Sequence, residues 1–265
     1  MKTLYFDCFS GISGDMTIGA LLDLGVDFSV LESALQSLHL NGWSIKKETA
    51  IKNGICGTAF HVLLEEAEAH DSHGHTHEVS EGHHHHGHVH RTYGEIAAMI
   101  DHSDLSQGVK ALSKSIFETV AKAEGKIHGK PMEEVHFHEV GALDSIVDIV
   151  GTAICLEQLS PDRIVCSALP MTRGFVHCQH GVFPLPAPAA AEILRDVPVY
   201  FSDAGIELVT PTGAAIVKTV ADAYGDSLSG AVQAIGYGIG KATYEVPNVL
   251  RVMLVEEDEK KKSGF

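Results

Sequence analysis

Hydrophobic and polar positions follow two spacings along this chain, one typical of strands and one typical of helices. Residues 3–9 are apolar apart from Asp7, which predicts a buried strand, and a glycine-bearing loop separates this strand from an apolar helix at 15–24. Apolar positions at helical spacing predict further helices at 27–40, 92–101, 106–126, 144–159, 187–195 and 211–224. Short apolar runs predict a hairpin around Asn53-Gly54 and strands at 163–169, at 197–201 and from 247 onward. The pattern predicts an α/β protein of mixed strands and helices.

Local residue choices add boundaries to these elements. The signals are the capping boxes Ser29-x-x-Glu32 and Thr92-x-x-Glu95, Asp15 as the cap of the first helix, and Thr210 as a cap before Pro211. The glycines and prolines within 171–188 predict a fixed loop there instead of a regular element. The alternating glycines at 236, 238 and 240 predict that another backbone or a ligand comes close to the chain.

The segment 67–91 has no apolar periodicity and is rich in histidine, glycine and acidic residues. We expect a disordered His-rich internal loop here, because such a composition cannot build a core. The loop would interrupt a single α/β domain at 1–255, with a domain break at the loop as the alternative, and 256–265 would form a charged flexible tail. Expression tags are also His-rich, but they lie at termini, whereas this run is interrupted and internal.

Imidazoles bind nickel, copper and zinc, so the loop is expected to collect a late transition metal. The loop histidines that we select as metal ligands are His75, His77, His84, His86 and His88.

Composition and charge argue against several classes of protein. A formal net charge of −16 disfavours nucleic-acid binding, which needs a basic surface. No apolar run approaches the roughly 20 residues of a membrane span, and the N-terminus lacks the features of a signal peptide. Five scattered cysteines predict reduced thiols and not a disulfide frame. We therefore expect a cytoplasmic protein with no membrane partner.

Imidazole and carboxylate side chains gather in the stretch 135–151, at the junction of an extended segment and a helix. They are His136, His138, Glu139, Asp144 and Asp148. Such side chains suit a divalent metal. Gly151 and Cys155 continue the helix face that carries the two aspartates, so nothing bulky is expected to cover those carboxylates. The alternative is a strand with a wet polar side followed by an ordinary amphipathic helix.

The loop between the first strand and the first helix predicts an anion site. Free N–H groups and the helix dipole point outward at such a junction. No lysine follows the glycines, so the loop is not a P-loop, and its flanking carboxylates suit a magnesium-bridged phosphate. The alternative is a tight turn with an aspartate cap. The residues concerned are Asp7, Ser10, Gly11, Ser13, Gly14 and Asp15.

Two places in the second half of the chain carry further candidate residues. Arg173 and Gly174 are placed to meet an anionic substrate group, and the helix start at Thr212-Gly213 again offers N–H groups. A second small cluster of metal-ligand types, for which surface histidines in a loop are the alternative, consists of His177, Cys178 and His180.

Five stretches in this order resemble the LarC family, the nickel-insertion proteins for the nickel-pincer cofactor of lactate racemase. They are FDCFSGISGDM, the histidine loop, VHFHEVGALDSIVDIVG, ELVTPTGAA and GYGIGKATYEVPNVLR, and the resemblance covers nearly all of 1–255. It implies a nickel chelatase (cyclometallase) of the lyase class. Such a protein places Ni(II) into pyridinium-3,5-bisthiocarboxylic acid mononucleotide and forms one carbon–nickel and two sulfur–nickel bonds.

The resemblance also implies hydrolysis of CTP, with Mg(II) or Mn(II) accompanying the nucleotide. Full-length members of the family continue into a C-terminal domain associated with the CTP site, so this chain resembles their N-terminal portion. That domain and proteins of the lactate racemase pathway are therefore expected partners, and a homo-oligomer is left open.

The residue chemistry leads to a hypothesis for the roles of the candidate residues in such a reaction. The loop histidines would collect Ni(II), and His136, His138, Glu139 and Asp144 would present it to the substrate. A base must remove the ring proton as carbon is metallated, and His138, Glu139 or His177 would serve. Arg173 and the helix start at Thr212-Gly213 would hold the phosphate of the substrate.

Two other classes of function stay open. One is a nickel metallochaperone or storage protein without chemistry of its own, for which the His-rich loop suffices. The other is a magnesium-dependent phosphohydrolase that uses Asp7, Asp15, Asp144 and Asp148.

Overall fold

The computed structural model describes residues 1–64, 91–137, 143–178, 181–226, 228–244 and 246–257. The predicted disordered loop, apart from Arg91, and the predicted tail beyond Glu257 lie outside these residues. The described residues form a mixed α/β structure, which confirms the predicted class. Their helices are α1 (Gly14–Asp23), α2 (Phe28–Gln36), α3 (Tyr93–His102), α4 (Gln107–His128), α5 (Leu143–Leu159), α6 (Pro188–Ile193) and α7 (Pro211–Val220). Their strands are β1 (Lys2–Asp7), β2 (Trp43–Lys52), β3 (Ile55–Leu64), β4 (Arg91–Thr92), β5 (His136–Phe137), β6 (Arg163–Cys166), β7 (Leu169–Thr172), β8 (Gly174–Cys178), β9 (Gly181–Leu185), β10 (Val199–Ser202), β11 (Ala223–Tyr224), β12 (Gly230–Ile239) and β13 (Val249–Glu257).

A mixed sheet of seven described strands, in the order β11-β6-β1-β13-β12-β3-β2, forms the frame. β1 is an interior strand of this sheet, third in the order, and is parallel to β6 and antiparallel to β13. The predicted hairpin between β2 and β3 is confirmed, and both turn residues, Asn53 and Gly54, have positive φ. Three separate pairs complete the described strands: β7 with β10, β4 with β5, and β8 with β9.

Helix α1 lies directly against β12 and β3, because glycines at the contact leave no side chains between the backbones. A Cβ atom on Gly236 would overlap the carbonyl oxygen of Ala20, and one on Gly238 would overlap that of Met16. The alternating glycines therefore admit another backbone, as predicted, and that backbone is α1.

Helix α5 packs against α1, α2, α4 and α7. Its residues 146–156 are buried and mostly apolar, apart from Asp148. The apolar ones join one core with Leu4 and Phe6 of β1. This packing brings the N-terminal ends of α1, α5 and α7 to one place. No helix of the described residues combines the length and the apolar character needed to cross a membrane.

Several predicted boundaries are confirmed and others are wrong. The Thr92 capping box and the Thr210 cap form as predicted. The predicted Ser29 box does not open α2, because Asp27, two residues earlier, is the N-cap and its carboxylate accepts from both the N–H and the hydroxyl of Ser29. Similarly, Ser13 and not Asp15 is the N-cap of α1, so Asp15 stands inside the first turn.

The fixed loop predicted for 171–188 is wrong, because this stretch contains the end of β7 and all of β8 and β9. β7 extends to Thr172 through parallel pairing with β10, a distant partner that local residue choice does not reveal. Gly181 has positive φ in the turn between β8 and β9. Pro184 is accommodated in β9 because that strand has β8 as its one described partner, which leaves its other edge unpaired.

Two predicted ends near the C-terminus are also corrected. Helix α7 ends at Val220 instead of continuing to 224, because Ala223 and Tyr224 pair with β6 as strand β11. Strand β13 extends to Glu257, so the first two residues of the predicted tail lie in the sheet, where Glu256 pairs with Lys2.

Candidate functional site

The N-terminal ends of α1, α5 and α7 line a cavity of about 250 Å³. Backbone hydrogen bonds of Ile12 connect two of these helix ends, those of α1 and α7. Its N–H donates to the carbonyl of Leu208 at 2.9 Å, and its carbonyl accepts from the N–H of Thr210 at 3.1 Å. Three converging helix dipoles place partial positive charge on this cavity. Four of the side chains that line it are acidic, namely Asp15, Asp144, Asp148 and Glu207.

A second cavity of about 440 Å³ adjoins the first. The two cavities share Ser13, Asp15, Glu207, Thr210 and Lys241 and therefore form one cleft. The larger cavity adds aromatic, apolar and amide side chains, namely Met16, Phe175, Val176, Ile206, Leu208, Tyr244 and Asn248. Its volume matches that of a small-molecule site, with apolar surface beside a few polar groups.

Asp148 is the most perturbed ionisable group of this cleft. Its Oδ1 is fully enclosed and has no hydrogen-bond partner among the described residues. Burial, followed by the nearby Asp15 and Asp144 carboxylates, raises the pKa of Asp148 well above its ordinary value. The ammonium of Lys241 and the N–H of Asp15 act in the opposite direction but do not outweigh burial. A carboxylate that lines a cavity and has an oxygen without a partner is a candidate contact for a cation or for a proton donor.

The expectation that nothing bulky covers Asp144 and Asp148 is wrong for Asp148. Helix α1 covers that face of α5, since a Cβ atom on Gly14 would lie 2.5 Å from the Cβ of Asp148. Gly151 faces α1 in the same way, against Ile18. Asp144, one turn earlier, stays exposed, and its Oδ1 accepts from the N–H of Ser145. Because Gly14 and Gly151 have no side chains, α1 can approach α5 closely.

Asp15 and Lys241 stand at the junction of the two cavities. Asp15 Oδ1 accepts from Ser13 Oγ and from the N–H of Met16. Its Oδ2 lies 3.7 Å from Lys241 Nζ, which is beyond hydrogen-bond length. In the larger cavity, burial, with a smaller contribution from the Glu207 carboxylate, raises the pKa of Tyr244, so its phenol stays neutral.

Three residues of the predicted anion loop do not line the cleft. Asp7 is paired with Arg251, whose Nε donates to Asp7 Oδ2 at 2.8 Å. Ser10 donates its hydroxyl to the carbonyl of Pro247. Gly11 has φ +94 and packs on the carbonyl of Leu208. These three residues shape the loop. The other three residues that were selected from this loop, Ser13, Gly14 and Asp15, line the cleft.

The other predicted anion contacts divide in the same way. Arg173 is exposed, lies 5.1 Å from the ring of Phe201, and is not among the described lining residues. Thr212 lines the smaller cavity. The N–H of Gly213 is already taken by Thr210 Oγ1 at 3.1 Å, so the cap uses a donor that was predicted to be available to an anion.

Most predicted nickel ligands and bases lie where no side-chain geometry is described. His138, Glu139, His180 and the loop histidines His75, His77, His84, His86 and His88 lie outside the described residues. His136 and His177 have described backbones in β5 and β8. Among the residues that the structure describes, no three His, Cys, Asp or Glu side chains stand together closely enough to hold a metal ion.

The cleft also contains residues that sequence reasoning missed. Glu207, Lys241, Tyr244 and Asn248 line it, although the stretches that contain them carry the resemblance described above. The sequence signal that could have identified one of these residues is Lys241, the lysine that follows the alternating glycines. Only the fold shows that β12 delivers it to the helix ends.

Comparisons with known proteins agree on one family. The model of the family described as nickel insertion protein matches residues 4–264. The chain is 48% identical over 265 residues to the pyridinium-3,5-bisthiocarboxylic acid mononucleotide nickel insertion protein of Geobacillus kaustophilus, covering 100% of this chain and 62% of the relative. Proteins with the same name from Acetivibrio thermocellus and Clostridium kluyveri are 46% and 47% identical, over 99% of this chain and 62% and 64% of their own lengths.

This chain therefore spans less than two thirds of the length of these relatives. No solved structure matches it significantly. The family match extends over nearly every residue described above, including the helix ends, the glycine-lined α1 contact and the Lys241 turn. The chain belongs to the nickel insertion protein family.

Proposed function

We propose that this chain takes part in inserting nickel into pyridinium-3,5-bisthiocarboxylic acid mononucleotide, the substrate in the names of its relatives. The observation that carries the proposal is the enclosed, unpartnered Oδ1 of Asp148 beside a cavity of small-molecule size. A site that handles a cation together with an organic ligand needs these two parts side by side.

The two cavities are lined by different side chains, which supports binding of the organic ligand and the metal ion in different parts of the cleft. The larger cavity offers Phe175 and Tyr244 to an aromatic ring, together with the amide of Asn248. The helix ends and Lys241 favour anionic groups, and the mononucleotide carries a phosphate and two thiocarboxylates. The acidic side chains of the smaller cavity favour the metal cation.

Nickel is the substrate metal in this proposal. Asp144 and Asp148 supply carboxylates, and His136, His138 and Glu139 of the preceding stretch supply the ligands that two aspartates alone lack. Imidazole and carboxylate ligands release a metal more readily than a closed thiolate site does, which suits transfer. The histidines of 67–91 collect the ion.

The chemistry also needs a base. Forming a carbon–nickel bond at the ring releases one ring proton, and His138, Glu139 or His177 accepts it in this proposal. The reaction is that of a nickel chelatase (cyclometallase) of the lyase class. In this proposal the complete reaction makes the nickel-pincer cofactor of lactate racemase. It also uses CTP with Mg(II) or Mn(II), and the part of the relatives that this chain does not span.

The direct test supplies the purified chain with the mononucleotide, Ni(II) and CTP, with and without the remaining part of a relative as a separate protein. Absorbance and mass of the small molecule report nickel transfer. Transfer supports the proposal, and dependence on the added protein assigns this chain a share of the reaction. If nickel binds and never reaches the pyridinium ring under either condition, the chain is a nickel store or metallochaperone instead.

The double substitution His136→Ala, His138→Ala is expected to reduce nickel insertion at least a hundredfold, because the metal needs further ligands besides the two aspartates. The folded state should persist, as measured by circular dichroism. A matched double substitution at His61 and His102, which do not line the cleft, should keep activity near that of the wild type. Full insertion activity in the first variant would remove these histidines from the metal site.

Deleting 67–91 separates an insertion protein from a store. We expect the nickel concentration for half-maximal insertion to rise about tenfold or more, while activity at saturating nickel stays close to that of the intact chain. The physical reason is that a many-ligand segment raises the local supply of metal without entering the reacting site. A chain whose sole task is storage would instead lose its nickel capacity and show no insertion at any nickel concentration.

A further inference from the structure

Residues 240–244 and 246–248 form one wall of the larger cavity. Lys241, Ala242, Tyr244 and Asn248 all line that cavity, and Lys241 lines the smaller one as well. The segment connects β12 to β13, so its two ends are fixed by adjacent antiparallel strands. We call it the Lys241 loop.

Lys52 holds the beginning of the Lys241 loop. Its Nζ donates to three successive carbonyl oxygens, those of Gly240 at 2.9 Å, Lys241 at 3.3 Å and Ala242 at 2.7 Å. An ammonium has three N–H donors, so this geometry uses all of them on one turn of backbone. Lys52 is the last residue of β2, nearly 190 residues earlier in the chain.

The end of the Lys241 loop is fastened separately. The N–H of Gly240 donates to the carbonyl of Asn248 at 2.9 Å, and Asn248 Nδ2 donates to the carbonyl of Ala242 at 3.4 Å. Ser10, from the loop before α1, donates to the carbonyl of Pro247. Both ends of the loop are thereby tied to elements that carry the cleft.

The Lys241 side chain is held less firmly than its backbone. It is 60% exposed, and its one ion pair among the described residues, with Asp15, is 3.7 Å long. A pair of this length with an exposed ammonium contributes little to stability, so the ammonium can turn to a bound anion at small cost. Among the described residues lining the two cavities, Lys241 is the single positively charged side chain, beside four acidic ones.

We propose that Lys241 contacts an anionic group of the mononucleotide, either its phosphate or a thiocarboxylate, and that Lys52 is a positioning residue that holds the Lys241 turn in place for this contact. The ligand's identity rests on the function proposed above. The contact itself rests on the cleft geometry and on the three carbonyls bound by Lys52.

Each substitution has its own expected effect. Lys241→Met removes a charged hydrogen bond and should weaken binding of the mononucleotide about tenfold to a hundredfold. Lys52→Met leaves the charge of Lys241 in place but frees its turn, so binding should weaken by a smaller factor, about threefold to tenfold, through lost preorganisation. Lys52→Arg keeps a charged donor for the carbonyls and should recover part of this loss.

The experiment is titration calorimetry of the full chain with the mononucleotide, without nickel or CTP. It uses the wild type, Lys241→Met, Lys52→Met, Lys52→Arg and the double variant. Lys46→Met serves as the matched control, because Lys46 lies on the same strand and pairs with Glu48, away from the loop. If Lys52 acts through Lys241, the double variant binds as weakly as Lys241→Met alone and the two effects are not additive. Additive effects, or unchanged affinity in Lys52→Met, would overturn the positioning role.

The corresponding nucleoside, which lacks the phosphate, identifies the group that is bound. If Lys241 contacts the phosphate, Lys241→Met and the wild type bind the nucleoside equally. If it contacts a thiocarboxylate, the difference persists. Unchanged affinity of Lys241→Met for both ligands overturns the anion contact. Melting temperatures of all variants separate a binding defect from a folding defect.

Failure of this inference is distinguishable from failure of the proposed function. If the wild type binds the mononucleotide in a Lys241-dependent way but inserts no nickel, the proposed function fails and the anion contact stands. If the wild type inserts nickel and Lys241→Met does so with an unchanged KM, the anion contact fails and the proposed function stands.

Discussion

Replacing Asp148 with asparagine is expected to reduce nickel insertion at least a hundredfold and, at the same time, to stabilise the metal-free fold. The enclosed Oδ1 of Asp148 lacks a partner, so an ionised carboxylate here is costly without a cation. Asparagine keeps the shape and an acceptor for the N–H of Asp15 but carries no charge to bind a metal ion. The expected gain in unfolding free energy at pH 7 is about 1–3 kcal/mol in chelator-treated protein.

This gain should depend on pH with a defined sign. The folded state raises the pKa of Asp148, so the folded chain retains this proton at pH values where the unfolded chain has lost it. The resulting contribution to stability is complete below the unfolded pKa of about 4 and is lost as the pH rises through the folded pKa. The advantage of Asp148→Asn over the wild type should therefore grow with pH and then level off.

Urea unfolding of both proteins between pH 4 and pH 9 measures the difference. Asp144→Asn is the matched control for stability, because Asp144 lies one turn earlier on the same helix and is exposed. Because the Asp144 carboxylate is only a lesser cause of the raised pKa of Asp148, its replacement should change the stability less than Asp148→Asn does over the same range. A wild type that is more stable than Asp148→Asn at pH 8 without metal would contradict the unpaired, buried state of this carboxylate.

Replacing Gly11 with alanine is expected to lower the unfolding free energy by about 2–5 kcal/mol. Gly11 has φ +94, and an added Cβ atom would overlap the carbonyl oxygen of Leu208. That carbonyl is also the acceptor for the N–H of Ile12, which ties the start of α1 to that of α7. The substitution therefore strains the backbone and separates two walls of the cleft.

Gly25→Ala provides the matched control for this prediction. Gly25 has φ +103, but nothing lies within 4 Å of the position of its Cβ atom. It should lose about 1–2 kcal/mol from backbone strain alone. Urea unfolding compares the two variants, and the excess loss in Gly11→Ala measures the cost of the Leu208 contact. Equal losses would show that the loop can move away from Leu208.

Elements with local signals were predictable from the sequence. Thr92 and Thr210 cap α3 and α7 as predicted, because side-chain caps depend on residues within one turn. Asn53-Gly54 similarly determines the β2–β3 hairpin. Ser13, Gly14, Asp15, Asp144, Asp148 and Thr212 were selected from the sequence and do line the cleft.

Features that depend on distant partners were not predictable in this way. The strand β11 exists because Ala223 and Tyr224 pair with β6, and β7 because it pairs with β10. The burial of Asp148 depends on α1, whose approach is permitted by glycines on two different helices. Lys241 reaches the cleft through the order of strands in the sheet, which periodicity does not encode.

The interior strand β1 sets a constraint on the timing of folding. β1 lies between β6 and β13, and its register with β13 joins Lys2 to Glu256. During synthesis, β1 leaves the ribosome before both neighbours, and β13 follows it only after most of the chain between them has been made. Until then one hydrogen-bonding edge of a largely buried strand lacks its native partner, a condition that favours pairing with other chains. Completing the sheet depends on contacts of very long sequence separation, which are the slowest to form.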